Sequence, residues 1–256
     1  MSATPETELE LAHRQIDELR RELAQSRLAI EDFTYSVSHD LRAPLRHVVS
    51  YLKVVREDIG DGIDPAITAH LNTASDAASH MGRLMDGLLE LSKVGRAELQ
   101  VTHVDLQRLV SDLCHQADRD ATPCQIRWQI APDLPTVRGD IALLGRMLAV
   151  LLSNALKFTR DNPQATIEIS WTRSGDGHCE LRLCDNGVGF DARFQDRLFR
   201  VFQRLHSPRE FDGIGVGLAL ARQIVERHGG TIRARGDLAP GCEISLTLPL
   251  ARGPGA

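Results

Sequence analysis

The sequence predicts an α+β chain: an N-terminal coiled coil and a dimerising helical hairpin, followed by an α/β sandwich domain. Up to about residue 97 the apolar residues recur at helical spacing, with almost no strand signal. "GDGIDP", Gly60 to Pro65, interrupts that periodicity once, as glycine and proline do. From Val104 onward, alternating and helical stretches intermix, the texture of helices layered on a sheet.

In chain order, Leu9, Ile16, Leu23, Ile30 and Val37 fall at one core heptad site, and Ala12, Leu19, Ser26 and Phe33 at the other. Residues 1–31 therefore read as a coiled-coil helix. The stripe continues through Leu41, Leu45, Val48, Leu52 and Val55. Pro44 sits within it, lacks an N–H, and should bend the helix. After Pro65 a second helix carries Ile67, Leu71, Ala74, Ala78, Met81, Met85 and Leu88. Residues 32–97 thus form an αα-hairpin. Two helices bury little, so pairing with a second copy into a four-helix bundle completes the core.

Residues 98–250 make the second domain. "VDLQRLVSDLCHQA" is its first helix, and Ile126, Trp128 and Ile130 alternate as in a strand. Asp140 is placed to cap a helix from Ile141 to Phe158. Strands at Ile167–Trp171 and Glu180–Cys184 flank a polar glycine turn. A helix begins near Val216 and stops at "HGG", with Gly229 as its C-terminal cap. Strands near Ile232–Arg235 and Ile244–Leu248 close the domain, and the tail 251–256 should be disordered.

A composition of 42% hydrophobic and 25% charged residues is that of a globular chain. The net charge of -5 gives no basic footprint for nucleic acid or for anionic membranes. The N-terminus has no signal-peptide pattern. The most apolar window, Ile141 to Leu156, contains Gly145 and Arg146 and reads as too short to cross a bilayer, so no membrane span is expected. The five cysteines are scattered without a CxxC. They read as reduced thiols of a cytoplasmic protein, not as a disulfide or metal set.

The chemistry starts at "SVSHDLRAPL", Ser36 to Leu45. At about 100° per residue, His39 lies nearly opposite the apolar stripe, on the outward face. An exposed imidazole is largely neutral at neutral pH, and the adjacent Asp40 carboxylate can hold one ring N–H and sharpen the other nitrogen as a nucleophile. Downstream stand "NALKFT", "DNGVGF" and "GIGVGLALARQIVERHGG". Asn154 and Lys157 share a helix face. Alternate glycines before a helix let backbone amides approach an anion. Each motif alone has an ordinary structural explanation; all of them in this order are hard to obtain by chance.

Together they resemble the sensor histidine kinases of bacterial two-component systems, with an ATP-binding domain of the GHKL type. "HDLRAPL" resembles the phosphoacceptor box, "NALKF" the N box, "DNGVGF" and "GIGVGL" the two glycine boxes, and "LFRVFQRLH" the F box. The likeness covers roughly residues 30 to 250 and is most like the phytochrome-associated branch. It implies that His39 accepts the γ-phosphoryl group of ATP, with Asp40 as general base. It implies that Asn154 binds Mg²⁺, that Lys157 and Phe158 belong to the nucleotide site, and that Lys157 lies near the phosphates. Asp185 would bind the adenine amino group, with Gly187 and Gly189 shaping that pocket. Gly213, Gly215 and Gly217 would form the lid, and Phe199, Phe202 and Arg204 the F box that anchors it. A hinge near Ser92–Thr102 would let the domains approach. The implied partners are a second copy in a homodimer and a response regulator's receiver domain; about 30 residues before the phosphoacceptor helix are too few for a sensory domain, so either a separate sensor protein supplies the input or the chain was cut from a longer one.

Three positions depart from the family. Ala43 replaces the Thr or Asn that phosphatase-competent members carry, so regulator dephosphorylation should be weak or absent. Val150 replaces a second Asn. Glu243 stands where the family often has a Thr near the base, which puts a carboxylate beside the nucleotide unless it points away. Two other readings stay open: a non-catalytic scaffold, and a water-activating ATPase of the gyrase and MutL group. The second would need a Glu that "GRMLAVLLSNALKF" lacks.

Overall fold

The computed structural model describes residues 5–60, 64–120, 126–175, 177–207, 210–236 and 241–251. The chain divides into two compact units, Met1–Arg96 and Ala97–Ala256.

The first unit is an antiparallel pair, α1 (Pro5–Ile59) and α2 (Pro65–Arg96). α1 runs on unbroken through Pro44, whose missing N–H withholds the usual bond to the Asp40 carbonyl. Asp64 starts α2: its side chain accepts the Ala66 N–H at 2.8 Å and its carbonyl accepts that of Ile67 at 2.9 Å. Pro65 takes the first helical position, where an N–H has no partner to lose. Residues 61–63 of the expected break lie outside the described residues. Near its end α2 is latched to α1. Ser92 Oγ donates to the Glu31 carbonyl at 2.9 Å, and Arg96 pairs with Asp32 at 2.9 Å. Arg42 and Asp86 form a further ion pair.

The α1 stripe divides into two. Leu45 and Leu52 are half-buried within the hairpin. Val37, Leu41, Val48 and Val55 stay exposed, as do Ile67 and Met81 of α2. Upstream, Ile16, Leu19, Leu23, Ile30 and Phe33 form an exposed apolar seam. The side chains of Leu9 and Ala12 lie outside those described.

The second unit runs β1 (Thr102–Asp105), α3 (Leu106–Asp120), β2 (Arg127–Ile130), β3 (Thr136–Gly139) and α4 (Ile141–Thr159). β4 (Thr166–Ser174), β5 (His178–Asp185), a short 3-10 helix (Ala192–Arg197), α5 (Gly217–Arg227), β6 (Ile232–Arg235) and β7 (Cys242–Pro249) follow. Five strands pair in the order β2-β4-β5-β7-β6; β2 is parallel to β4 and the other neighbours are antiparallel. Side chains alternate across this sheet. Ile167, Ile169, Leu181, Leu183, Ile244 and Leu246 are buried, while Glu168, Arg182 and Glu243 stand on the opposite face.

β1 and β3 pair separately and antiparallel; the sequence reading has no strand at either place. Each is four residues with one well-buried apolar position, Val104 or Val137, too little for alternation to register. Val104 and Asp105 are accordingly strand, not helix. α3 begins at Leu106, with Asp105 Oδ1 accepting the Arg108 N–H at 3.0 Å. Asp140 caps α4 by accepting from Ala142 and Leu143 at 3.0 and 3.2 Å. The expectation that this apolar window is too short for a bilayer fails: among the described residues α4 is the one helix long and apolar enough to cross. Its apolar side packs inward instead, with Leu144, Met147, Leu148, Leu151 and Leu152 all buried.

Of the expected tail, Ala251 is held by its N–H on the Thr136 carbonyl at 3.0 Å, and residues 252–256 lie outside the described residues. Cys114, Cys179, Cys184 and Cys242 are free thiols; Cys124 is outside the described residues.

Candidate active site

A cavity of about 630 Å³ opens in the second unit. One wall is α4, where Arg146, Val150, Asn154 and Lys157 follow one another at helical spacing and share a face. Asp185, at the end of β5, and Cys242, at the start of β7, form the floor beside Leu183 and Ile244. Residues 204–206 and 211–217, the lid segment, close the other side. Asn154, Lys157, Phe158, Asp185, Gly189, Arg204, Gly213, Gly215 and Gly217 all line it; Gly187 does not. Gly187 acts from below. Its N–H donates to Asp185 Oδ1 at 2.9 Å, and a Cβ there would stand 2.5 Å from the Phe158 carbonyl oxygen.

Asp185 is the perturbed acid of the cavity. Burial pushes its carboxyl up to about 6, against the opposing pull of hydrogen bonds from the Gly187 and Cys242 backbones. Lys157 and Arg204 line the same cavity. Burial, then the Arg204 charge, lower the Lys157 pKa. A buried acid and cations lining one cavity suit a ligand with an amino-bearing ring and a polyanionic tail. Asn154 offers an amide oxygen to the same cavity. Among the described residues no group of three or more His, Cys, Asp or Glu is placed to hold a metal ion. The single amide oxygen of Asn154 fits Mg²⁺, which uses few protein oxygens and completes its shell with phosphates and water.

The lid segment is tied to this wall. Lys157 Nζ donates to the Asp212 carbonyl at 3.2 Å, Arg204 donates to the Phe211 carbonyl, and His206 Nε2 donates to the Gly189 carbonyl at 3.0 Å. The rings of Phe158, His206 and Phe211 cluster with centroids 5.0–5.3 Å apart. Phe202 N–H donates to the Gly215 carbonyl at 2.8 Å. Both residues take left-handed backbone conformations, Phe202 at φ 63° and Gly215 at φ 74°. A Cβ on Gly215 would stand 2.7 Å from the Gln203 carbonyl oxygen, so only glycine fits. Phe199 is buried behind this seam.

One expectation changes. Glu243 is not beside the cavity: it pairs in register with Cys184, whose Sγ is 3.6 Å from Glu243 Oε2, on the other face of the sheet. Adjacent strand residues point oppositely, so Cys242 lines the cavity instead, with its thiol pKa raised by burial. Val150 contacts the lid helix; a Cβ on Gly217 would meet its Cγ1 at 3.0 Å. Sequence reasoning gave no role to His206, Phe211 or Cys242. His206 lay within the F-box stretch, which was the one available signal.

His39 and Asp40 belong to the first unit. The His39 side chain is 64% exposed, and its Nδ1 lies 3.2 Å from Asp40 Oδ1.

Residues 29–97 match the family model of the His Kinase A phosphoacceptor domain, and residues 139–252 that of the histidine kinase-, DNA gyrase B- and HSP90-like ATPases. Cyanobacterial phytochrome B of Nostoc sp. (strain PCC 7120) is 32% identical over 235 residues, 91% of this chain and 31% of that protein. The methanogenesis regulatory histidine kinase FilI of Methanothrix harundinacea is 32% identical over 220 residues, 86% of this chain and 24% of that protein. The chain thus spans a quarter to a third of the relatives it matches. Among solved structures, full-length ShkA in complex with AMPPNP shares the fold over 87% of this chain and 46% of that one, with TM-score 0.61 at 22% identity. The mycobacterial sensor histidine kinase MprB aligns over 60% of this chain and 99% of its own, with TM-score 0.51 at 26% identity.

Proposed function

Because this chain belongs to the sensor histidine kinases, we propose that it phosphorylates itself on His39 from ATP and passes the phosphoryl group to an aspartate on a response regulator. The observation that carries this reading is the cavity. Asn154 of α4, Asp185 of β5, and Arg204 and Gly213 of the lid segment converge on one cavity that holds both a buried acid and cations. In the adenine end, Asp185 accepts the amino group. Lys157 and Arg204 neutralise the phosphates, and Asn154 would hold Mg²⁺, which supplies charge neutralisation on the transferred group.

At the acceptor, the Asp40 carboxylate holds the Nδ1 proton and leaves the Nε2 lone pair for attack. The bond from Nε2 to phosphorus forms, the bond from phosphorus to the ADP oxygen breaks, and the Nδ1 proton passes to Asp40. Little covalent machinery is needed; positioning and charge stabilisation carry the step.

The exposed stripe of Val37, Leu41, Val48 and Val55 supports a homodimer that completes a four-helix bundle. The regulator partner and a cytoplasmic location follow from the family and belong to the same proposal. Ala43, one turn beyond His39 and exposed, offers no hydrogen bond to orient a water, so a phosphorylated regulator should keep its phosphate.

The test is incubation with Mg²⁺ and γ-labelled ATP beside a His39→Gln variant. Label that survives alkali, is lost in acid and is absent from the variant is expected. A wild type that binds nucleotide and stays unlabelled would overturn the kinase reading in favour of a scaffold.

A further inference from the structure

We propose that Tyr35 is a positioning residue for the phosphoacceptor imidazole and that Arg96, the last residue of α2, holds Tyr35 in place. The inference rests on His39 being the acceptor.

Tyr35 precedes His39 by one helical turn, so both side chains share a face of α1. Their rings stack, with centroids 6.1 Å apart and planes 19° from parallel, within the range of an offset aromatic pair. His39 is mostly exposed and turns about two side-chain torsions, so its reactive nitrogen has little else to aim it. Two contacts divide the task. Asp40, at 3.2 Å from Nδ1, selects the tautomer; the Tyr35 ring selects the plane.

The Tyr35 ring is itself held. The Arg96 guanidinium lies 4.2 Å over its centroid, a cation on a ring face. Arg96 is oriented by Asp32, one turn before Tyr35, at 2.9 Å. The last turns of α2 are pinned to α1 by the bond from Ser92 Oγ to the Glu31 carbonyl, with Ser92 itself buried. Asp32, Arg96, Tyr35 and His39 therefore form one continuous chain of contacts. It runs from the C-terminus of α2 to the nucleophile. A shift of that terminus against α1 moves the guanidinium, then the phenol ring, then the imidazole plane.

The experiment compares initial rates of His39 labelling in wild type, Tyr35→Leu, Tyr35→Phe, Arg96→Met and the double variant Tyr35→Leu/Arg96→Met. Leucine keeps bulk and helix but removes the stack. Releasing one χ1 choice of three and one ring orientation of two costs about threefold to tenfold in kcat, with KM for ATP unchanged. Phenylalanine should restore the rate. Arg96→Met should lose part of it, and the double variant should be no slower than Tyr35→Leu, as contacts in series require.

NMR of labelled histidine side chains supplies a readout independent of turnover. The His39 ring protons, assigned by their loss in His39→Gln, should shift in Tyr35→Leu and return in Tyr35→Phe. Wild-type rates and unshifted signals in Tyr35→Leu overturn the proposal, as do additive losses in the double variant. If Tyr35→Leu loses helicity, Arg96→Met decides by the same two readouts. If the wild type takes no label, the kinase reading has failed, and the NMR shifts still decide the stacking.

Discussion

Asp185 has opposite pH dependences for stability and for ligand binding. Burial raises its folded pKa to about 6, above the unfolded value near 3.9. A carboxyl raised on folding contributes stability that is complete below the unfolded pKa and is lost as pH rises through the folded one. The empty domain therefore loses this contribution between about pH 4 and pH 6. In the proposed site adenine recognition should run the other way, because there the ionised carboxylate accepts the amino group. Adenine nucleotide affinity should fall about tenfold from pH 7.5 to pH 5, and Asp185→Asn should bind weakly and without that slope. Calorimetric titration at the two pH values measures both; equal affinities in wild type would remove Asp185 from the adenine site. The same residue shows where sequence reading succeeds. "DNGVGF" names it outright, since a carboxylate before a tight glycine turn needs only local chain. Its neighbour on β7 was misassigned by one position: Cys242 and not Glu243 faces the cavity. A one-residue shift in a strand changes the face, and pairing with β5 decides that register.

At the scale of the element, α1 carries more apolar surface than its own hairpin can cover. Leu41 is 52% exposed and Val48 49% exposed in the single chain, on a face that α2 leaves open. Leu41→Glu should leave helicity intact and shift the chain from dimer to monomer in sedimentation or light scattering, because it would bury a charge at the bundle centre. A variant that stays dimeric would move the interface elsewhere. The stripe itself was legible from spacing. Its division into a hairpin face and an open face was not: Leu45 and Val48 stand only three residues apart and differ by where α2 sits. Strands β1 and β3 were invisible for a related reason. Four residues with one inward valine each carry no periodic signal, and they exist because Val104 and Val137 meet across the pair.

At the scale of the molecule, every residue that lines the cavity lies between Arg146 and Ile244, inside the second unit. Residues 97–256 expressed alone should therefore bind ATP as the whole chain does and take no label, while the whole chain labels on His39. Loss of binding in the isolated piece would mean that the first unit contributes to the nucleotide site. The sequence by itself carried the motifs on which the proposed chemistry rests. His39 with Asp40, Asn154 with Lys157, Asp185 and the glycine triplet are local patterns whose residue types suit phosphoryl transfer and nucleotide binding. It also determined helix against strand wherever a period ran for several turns. The tertiary structure alone decided which of these residues share a space, which strand faces look inward, and how His206, Phe211, Tyr35 and Arg96 come to touch functional residues. Those are long-range contacts, set by packing and register between segments distant in the chain, and no local pattern encodes them.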